Sequence, residues 1–202
     1  MISLLKELQC LNNLAEKYKV DLFLVGGALR DKLLNLPVND FDFILPEGVE
    51  KFSRKFADEI SGSWIILDYD RKIFRVNKAE IDYDFSEFRA ENLQDDLFKR
   101  DFSINSLAIS YKYLSYFQKQ SKTNISKLSS VIVDPTGGIT DLFDGNIRAV
   151  SPDVFVDDPL RMLRAVRLKA KFDFEIESKT ENMIYKKRDL IESCSVERIR
   201  DE

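Results

Sequence analysis

Residues 20–45, with the sequence VDLFLVGGALRDKLLNLPVNDFDFIL, decide the fold of this chain. The first six form a short β-like run that stops at the glycine pair 26–27. Residues 28–35 are rich in helix formers, and residues 41–45 have strand character. We therefore expect a strand, a glycine turn, a helix and a second strand, on which Asp42 points away from its aromatic neighbours.

The segments around this stretch predict further helices and a strand meander. Apolar residues recur at helical spacing over 4–18, and again over 47–61. Residues 64–67, 72–76 and 80–85 have strand character and are separated by short polar turns. Helices followed by a meander indicate an α+β fold with a mixed or largely antiparallel sheet, not a doubly wound parallel one.

The C-terminal part of the chain has a different pattern. We expect residues 111–130, which are polar with scattered tyrosines, to form a surface excursion before a strand at 131–133. After Ser151 no strand pattern is found, and three segments read as helix: 158–171, 178–189 and 196–202. We therefore predict a sheet-based domain over 1–149 and a helical segment over 150–202.

Composition and charge exclude several classes of function. The 202 residues carry 31 Lys and Arg against 35 Asp and Glu, a formal net charge of −4, which argues against a broadly basic nucleic-acid coat. The chain contains no histidine, so Ser-His-Asp catalysis, histidine general bases and histidine-ligated zinc are excluded. Any catalysis must rest on carboxylates, arginines and hard metal ions.

The sequence also predicts the compartment. The apolar run at 22–25 is far shorter than the roughly 20 residues that span a bilayer, and residues 1–10 lack signal-peptide features. Cys10 and Cys194 are far apart and match no metal-ligand spacing, so we expect reduced thiols. These features favour a cytoplasmic protein with no membrane contact.

The glycine turn is the first candidate site. Gly26 and Gly27 would let backbone N–H groups approach a phosphate at the start of the following helix, and Arg30 could reach an anion. A plain strand–helix turn is the alternative, and a glycine pair alone would favour it.

An acidic pair follows within fifteen residues. Asp40 and Asp42 share one face of a strand, where two carboxylates converge at a distance suited to Mg²⁺. A solvated acidic face is the alternative for an isolated Asp-x-Asp. Asp82 and Asp84 form a second acidic face, and either could complete a triad; an exposed edge with charged side chains would explain at least one of them.

Two arginine-containing segments are further candidates. Arg100, beside Lys99, could neutralise a polyphosphate, although a charged N-cap before an apolar helix explains the segment equally well. Asp158, Arg161 and Arg164 fall at helical i, i+3 and i+6, and could present an acceptor and forked donors to a base edge. The ordinary alternative is a helix-capping acid paired with Arg161.

Taken together, these segments resemble the class II tRNA nucleotidyltransferase and bacterial poly(A) polymerase family of the polymerase-β-like nucleotidyltransferase superfamily. Five motifs occur in order: 25–34 (VGGALRDKLL), 40–42 (DFD), 100–105 (RDFSIN), 158–165 (DPLRMLRA) and 197–200 (ERIR). One such motif would be a weak signal, whereas five in order are a strong one. The resemblance implies a nucleotidyltransferase head over 1–149 and a helical neck over 150–202.

The resemblance also implies roles for individual residues. Asp40 and Asp42 match the two metal-binding carboxylates, and Asp84 resembles the third, with Asp82 as the fallback. Asp158 and Arg161 match the pair that selects C or A through its base edge. The nucleotide-binding positions as a whole are Gly26, Gly27, Arg30, Arg100, Asp158, Arg161, Arg164 and Arg167, and a helix bearing Arg198 and Arg200 supports the site.

The activity implied is template-independent addition of CMP, AMP or both to the 3′ end of tRNA. The expected substrates are CTP and ATP, and the expected cofactor is Mg²⁺. The reaction implied is a two-metal reaction that releases pyrophosphate and in which Asp84 accepts the proton of the RNA hydroxyl. A CC-only enzyme, an A-adding enzyme and a poly(A) polymerase are alternatives within the family. A non-catalytic RNA-binding relative would not need Asp40, Asp42 and Arg100. A magnesium phosphohydrolase would not explain the stripe formed by Asp158, Arg161 and Arg164. The sequence does not indicate the oligomeric state.

This chain departs from the family pattern at several points. Ser103, Ser106 and Asp157 stand where the family usually has Thr, Ala and Glu, which are mild changes. Residues 90–95 are short where most members have a longer, basic, flexible loop, and this favours an enzyme that stops at CC. The helices with which the family grips tRNA are absent up to residue 202.

Overall fold

The computed structural model describes residues 2–117 and 122–202. Its contacts divide the chain into two compact units. The first comprises Met1–Leu93 with Leu107–Val133, and the second Gln94–Ser106 with Asp134–Glu202. Residues 149 and 150, on the two sides of the predicted boundary, therefore both lie inside the second unit, and the division into head and neck stays a prediction.

The helices of the described residues have the following bounds: α1 (Ile2–Tyr18), α2 (Gly27–Leu33), α3 (Val49–Ile60), α4 (Leu93–Phe98), α5 (Lys122–Ser129), α6 (Gly138–Asp144), α7 (Val154–Asp157), α8 (Arg161–Phe172), α9 (Ser178–Lys187) and α10 (Val196–Asp201). Short 3₁₀ segments occur at Ser103–Asn105, Tyr111–Phe117 and Arg188–Ser193. None of these helices is long and apolar enough to cross a membrane.

The strands are β1 (Phe23–Val25), β2 (Asp40–Leu45), β3 (Ser63–Asp68), β4 (Ile73–Lys78), β5 (Ile81–Glu87), β6 (Ala108–Ser110), β7 (Asn146–Ile147) and β8 (Glu175–Ile176). The first unit contains a six-stranded sheet in the order β3-β4-β5-β2-β1-β6. β2 and β5 pair in parallel, and the other neighbours are antiparallel. The mixed sheet with helices, the strand–turn–helix–strand start and the β3–β5 meander are therefore confirmed.

One face of this sheet carries the core of the first unit. On this face β2 and β5 bury four aromatic rings: Phe41 stacks on Tyr83 at 5.6 Å between ring centroids, and Phe43 stacks on Phe85 at 5.5 Å. Phe56 of α3 packs edge-on against Tyr83 at 5.2 Å. Removal of such a ring from a core costs about 3–5 kcal/mol. Because strand residues alternate, the acidic neighbours of these rings are forced onto the opposite face.

The second unit is mainly helical. Its buried side chains include Phe102, Leu142, Phe155, Ala165 and Leu168. The two-residue strands β7 and β8 pair in parallel within this unit, and Phe102 forms an isolated bridge with Ala149.

Four local predictions were wrong. Residues 131–133 form no strand; Val133 makes only an isolated bridge with Ala108, and polar neighbours surround the short apolar run. Within the predicted excursion at 111–130, a 3₁₀ segment and α5 bury Leu114 and Leu128, while residues 118–121 lie outside the described part. A strand, β8, occurs after residue 151, where none was expected. Its two residues are too few to show the alternation by which a strand is recognised in a sequence.

The fourth error concerns the start of α8. The helix begins at Arg161, and Asp158 is extended, with φ −153° and ψ 103°. The ring of Pro159 disfavours helical backbone at the residue before it, which accounts for the extended Asp158. Asp158 is therefore not on the helical stripe of Arg161 and Arg164.

Candidate active site

The glycine turn joins β1 to α2. Gly26 has φ 74° and ψ −137°, a backbone conformation that residues with a Cβ rarely adopt. Its N–H donates to the Leu107 carbonyl at 3.0 Å, which ties the turn to the sheet. Gly27 begins the helix, and a Cβ built there would lie 3.2 Å from a terminal nitrogen of Arg30. The glycine pair thus lets the turn form and lets the guanidinium approach its backbone.

Arg30 lies over this turn. Its side chain is 9% exposed, and its Nε donates to Oδ1 of Asp31 at 2.7 Å. The predicted position of Arg30 in the first half of the helix is confirmed, and its role in triphosphate binding stays a prediction.

The acidic residues of the first unit form two rows across the sheet. Asp40 is opposite Asp82, and Asp42 is opposite Asp84, in the parallel pairing of β2 with β5. Asp40 and Asp42 are exposed and alternate with the buried Phe41. The sequence-based expectation that Asp40 and Asp42 share one face, next to Asp82 and Asp84, is therefore met.

Arg75 extends these rows on β4. It is opposite Asp84 in the antiparallel pairing, and its Nε and one terminal nitrogen donate to the two oxygens of Asp84 at 2.7 and 2.8 Å. Its other terminal nitrogen donates to Asp82 at 2.6 Å, and Asn77 donates to the second oxygen of Asp82 at 2.6 Å. The hydrogen bond with Asp84 raises the pKa of Arg75, so the guanidinium stays charged. Within the described residues, no three acidic or cysteine side chains converge closely enough to hold a metal ion.

Arg75 was not among the predicted site residues. A signal was present, because the strand 73–78 alternates buried Phe74 and Val76 with polar Arg75 and Asn77. Only the register of the hairpin, which the sequence does not provide, places Arg75 beside Asp84.

In the second unit, Asp101 and Glu202 hold Arg164. Oδ2 of Asp101 lies 3.0 Å from Arg164, and Oδ1 accepts bonds from the Phe102 N–H at 2.7 Å and the Asn105 amide at 3.0 Å. Burial acts to raise the pKa of the Asp101 carboxyl, but Arg164 and the two hydrogen bonds outweigh it, and the pKa is lowered. Asp101 is therefore a buried carboxylate that stays ionised.

Glu202 completes this cluster. It accepts bonds from Arg164 at 2.9 and 3.1 Å and from Arg167 at 2.7 and 3.0 Å. Desolvation acts to raise the pKa of Glu202, but the two guanidinium groups lower it. Glu202, which was not among the predicted site residues, thus brings together the two predicted nucleotide-binding residues Arg164 and Arg167.

Asp158 and Arg161 bond to different partners. Oδ1 of Asp158 accepts the Leu160 N–H at 3.3 Å and lies 3.3 Å from Arg198, so the carboxylate caps the turn before α8. Arg161 is 9% exposed and donates to the carbonyls of Lys99 at 3.1 Å and Val154 at 3.4 Å. The capping role considered from sequence is present, but the ion pair of Asp158 is with Arg198.

Arg100 is held near the end of α4. It donates to the fully buried Asp96 at 3.2 Å, while its Nε is buried without a hydrogen-bond partner. A buried unsatisfied donor costs about 1–3 kcal/mol, which favours an additional acceptor for this side chain.

The predicted site residues thus fall into two sets. The first unit holds Gly26, Gly27, Arg30, Asp40, Asp42 and Asp84, and the second holds Arg100, Asp158, Arg161, Arg164 and Arg167. The family described as the poly A polymerase head domain matches residues 22–148, more than half of the chain. The chain belongs to the poly A polymerase head domain family.

Members of this family and solved structures extend the match. A CC-adding tRNA nucleotidyltransferase of Geobacter sulfurreducens is 39% identical over 180 residues, covering 88% of this chain and 38% of that protein. An A-adding tRNA nucleotidyltransferase of Halalkalibacterium halodurans is 33% identical over 193 residues, covering 89% and 42%. A CCA-adding enzyme solved with ATP has a TM-score of 0.81 at 26% identity, covering 100% of this chain and 47% of that one.

These matches confirm the resemblance to class II tRNA nucleotidyltransferases and poly(A) polymerases. The chain spans about two fifths of the length of the relatives it matches.

Proposed function

We propose that this chain is the catalytic part of a template-independent tRNA nucleotidyltransferase that transfers CMP, AMP or both to an RNA 3′-hydroxyl and releases pyrophosphate. The observation that carries the proposal is the alignment of Asp40 and Asp42 with Asp84 on the polar face of one sheet. Like charges placed directly opposite each other destabilise a sheet. Arg75 relieves part of this repulsion at Asp82 and Asp84, and a metal ion at Asp40 and Asp42 would relieve the rest.

The donor set fits magnesium. Carboxylate oxygens on adjacent strands are ligands that Mg²⁺ prefers, and the described residues near them supply no sulfur ligand. We propose that Asp40 and Asp42 hold the metal; the third predicted ligand, Asp84, has both oxygens bonded to Arg75. When bound, Mg²⁺ lowers the pKa of the attacking hydroxyl and neutralises the triphosphate and the leaving pyrophosphate.

The residues of the first unit have further roles in this proposal. The Gly26–Gly27 turn presents backbone close to the triphosphate, and Arg30 supplies a positive charge next to it. The hydroxyl of the RNA attacks the α-phosphate in line, and the Asp84 carboxylate accepts its proton. Each of these roles requires the side chain to be held in place, as the sheet does for Asp84.

The second unit supplies the side chains that we propose select the base. A guanidinium has five N–H donors, and the two bonds of Arg161 to main-chain carbonyls fix its plane while leaving donors for a base edge. Asp158 contributes an acceptor, and Arg100, Arg164 and Arg167 contribute N–H donors for the nucleotide. Such pairs discriminate between bases by about 1–3 kcal/mol each.

A CC-adding enzyme is the second candidate, and the connection after β5 favours it. β5 ends at Glu87 and α4 begins at Leu93, so part of the predicted loop at 90–95 is helical. Residues 88–92 remain, and they reach at most about 18 Å when fully extended. A longer mobile lid between strand and helix is therefore not available here.

We further propose a cytoplasmic location, where tRNA is processed.

The test is incorporation of nucleotides into tRNA that lacks its 3′ end. The protein is incubated with this tRNA, Mg²⁺ and each labelled nucleoside triphosphate separately. We expect labelling from CTP, labelling from ATP or both, and none from GTP or UTP. Asp42→Asn should abolish the signal, whereas Asp70→Asn, a change in an exposed residue of the turn between β3 and β4, should not. Equal labelling by all four nucleotides would contradict the proposal.

A further inference from the structure

The outer edge of the six-stranded sheet is apolar. β3 is the first strand in the sheet order, and within the part of the chain that the structure describes no strand pairs with its outer edge. Ile65, Ile66 and Leu67 follow one another on this strand and are 43–47% exposed. Residues 63–67, with the sequence SWIIL, contain no charged residue and no proline. Edge strands usually carry such residues, because a free apolar edge invites pairing with another chain.

The alternation of side chains on β3 restricts how a second copy could pair with it. Ile65 lies opposite Arg75 of β4, on the polar face of the sheet, whereas Trp64 and Ile66 lie on the core face. Residues directly opposite each other in a sheet share a face, so two copies of this strand must pair residues of equal parity. The antiparallel register centred on Ile65 meets this condition. It places Ile65 against itself and Trp64 against Ile66 of the second copy, and it lies before the register shift that follows Ile66.

The charges at the two ends of β3 suit the same register. Asp68 ends the strand, and Asp70 follows it in an exposed turn. At the other end, Lys78 of β4 donates to the main-chain carbonyl of Ser61 at 3.3 Å. An antiparallel pairing centred on Ile65 brings the acidic end of each copy toward the lysine of the other. Opposite charges therefore meet twice, once on each side of the two-fold axis.

We propose that β3 is the interface of a homodimer, in which the strands of two copies pair antiparallel about a two-fold axis at Ile65. The main-chain N–H and C=O groups of each edge bond to those of the other, as in recognition by β-strand addition. Two six-stranded sheets thereby join into one continuous sheet whose polar faces lie on the same side. A two-fold interface uses the same surface of both copies, so the assembly stops at two.

The expected affinity is low, because the paired segment is short. Stable dimers bury roughly 800 Å² on each partner, and a few residues at a sheet edge cover less than that. We therefore expect a Kd of about 10–100 µM. Sedimentation velocity over about 5–500 µM protein should show a monomer at the low end and a dimer at the high end.

Charged variants of Ile65 test the register. Ile65→Lys and Ile65→Glu each place two like charges against each other at the axis, so each variant alone should weaken dimerisation at least about tenfold. An equimolar mixture of the two variants pairs lysine with glutamate and should dimerise again. The matched control is Val196→Lys, which changes an exposed apolar residue of the second unit and should leave the wild-type Kd unchanged.

Cross-linking through cysteine provides a second measurement. In a background that carries Cys10→Ser and Cys194→Ser, Ile65→Cys places two thiols opposite each other at the axis. Opposite Cα atoms in an antiparallel pair are about 4.5–5.5 Å apart, within the range that a disulfide spans. Mild oxidation should therefore give a disulfide-linked dimer. Ile66→Cys, whose opposite residue is Trp64, should cross-link at least about fivefold more slowly.

Several outcomes would overturn the proposal. A wild-type protein that stays monomeric at about 500 µM would do so, and so would a dimer that Ile65→Lys leaves intact. Association that continues beyond two copies would contradict the two-fold axis, and a mixture that fails to dimerise would contradict the register. If the charged variants do not fold, equal cross-linking of Ile65→Cys and Ile66→Cys would overturn the proposal by itself.

Discussion

Replacing Asp101 by asparagine should destabilise the second unit, because this carboxylate anchors Arg164. Asp101 is 5% exposed and accepts three bonds of 2.7–3.0 Å, from the Phe102 N–H, Asn105 and Arg164. Asparagine has nearly the same shape, so the change removes the charge and one acceptor while leaving the packing in place.

The size of the effect can be worked out from these contacts. Breaking a buried ion pair costs about 3–5 kcal/mol when the remaining charge is left alone. Arg164 is one third exposed and keeps its bonds to Glu202, so we expect a smaller loss of about 2–3 kcal/mol. At about 2–4 °C per kcal/mol for a protein of this size, the melting temperature should fall by roughly 4–12 °C at pH 7.

The dependence on pH has a definite sign. Since the pKa of Asp101 is lowered in the folded protein, its contribution is fully present above the unfolded carboxyl pKa of about 3.9. The contribution is lost as the pH falls through the lower folded pKa. The difference in stability between wild type and Asp101→Asn should therefore be constant near neutrality and shrink in acid.

Thermal melting at several pH values checks this reasoning. The control is Asp144→Asn, a change in an exposed carboxylate of the same unit, which should move the melting temperature by less than about 2 °C. A loss at pH 7 no larger than that of the control would refute the anchoring role. A loss that grows in acid would refute the sign of the pKa effect.

Three further predictions concern the proposed chemistry. Asp42→Asn should reduce nucleotide incorporation at least about 100-fold while leaving the melting temperature nearly unchanged, as measured by single-turnover assays beside thermal melts; near wild-type turnover would remove the metal assignment. Asp158→Ala should reduce the preference for CTP over UTP by about 1–3 kcal/mol, seen in kcat/KM ratios, and intact selectivity would make Asp158 structural. A protein with the short 88–92 connection should stop at CC, so efficient ATP incorporation onto tRNA ending in CC would contradict that expectation.

Much of the first unit was predictable because its signals are local. The alternation of acidic and aromatic residues at 40–43 specifies both which side chains are buried and which face is polar. The glycine pair specifies the turn, since Gly26 adopts a positive φ. Long periodic segments, such as α1 and α3, were assigned almost to their ends.

The rest could not be predicted because it depends on contacts between distant residues. Arg75 meets Asp84 only through hairpin register, and Glu202 meets Arg164 across 38 positions. The extended backbone of Asp158 is a different case, because it is predictable from the sequence: Pro159 disfavours helical backbone at the residue before it.

The pairing of β2 with β5 also limits where insertions and deletions can occur in this protein. Over residues 40–43 and 82–85, aromatic core residues alternate with acids. Inserting or deleting one codon within 81–84 would turn Tyr83 outward and a carboxylate inward, so folding and chemistry would be lost together. Changes of the same kind within 88–92 leave this parity untouched. We therefore expect insertions and deletions to be tolerated in the connection 88–92 and to be selected against within β2 and β5.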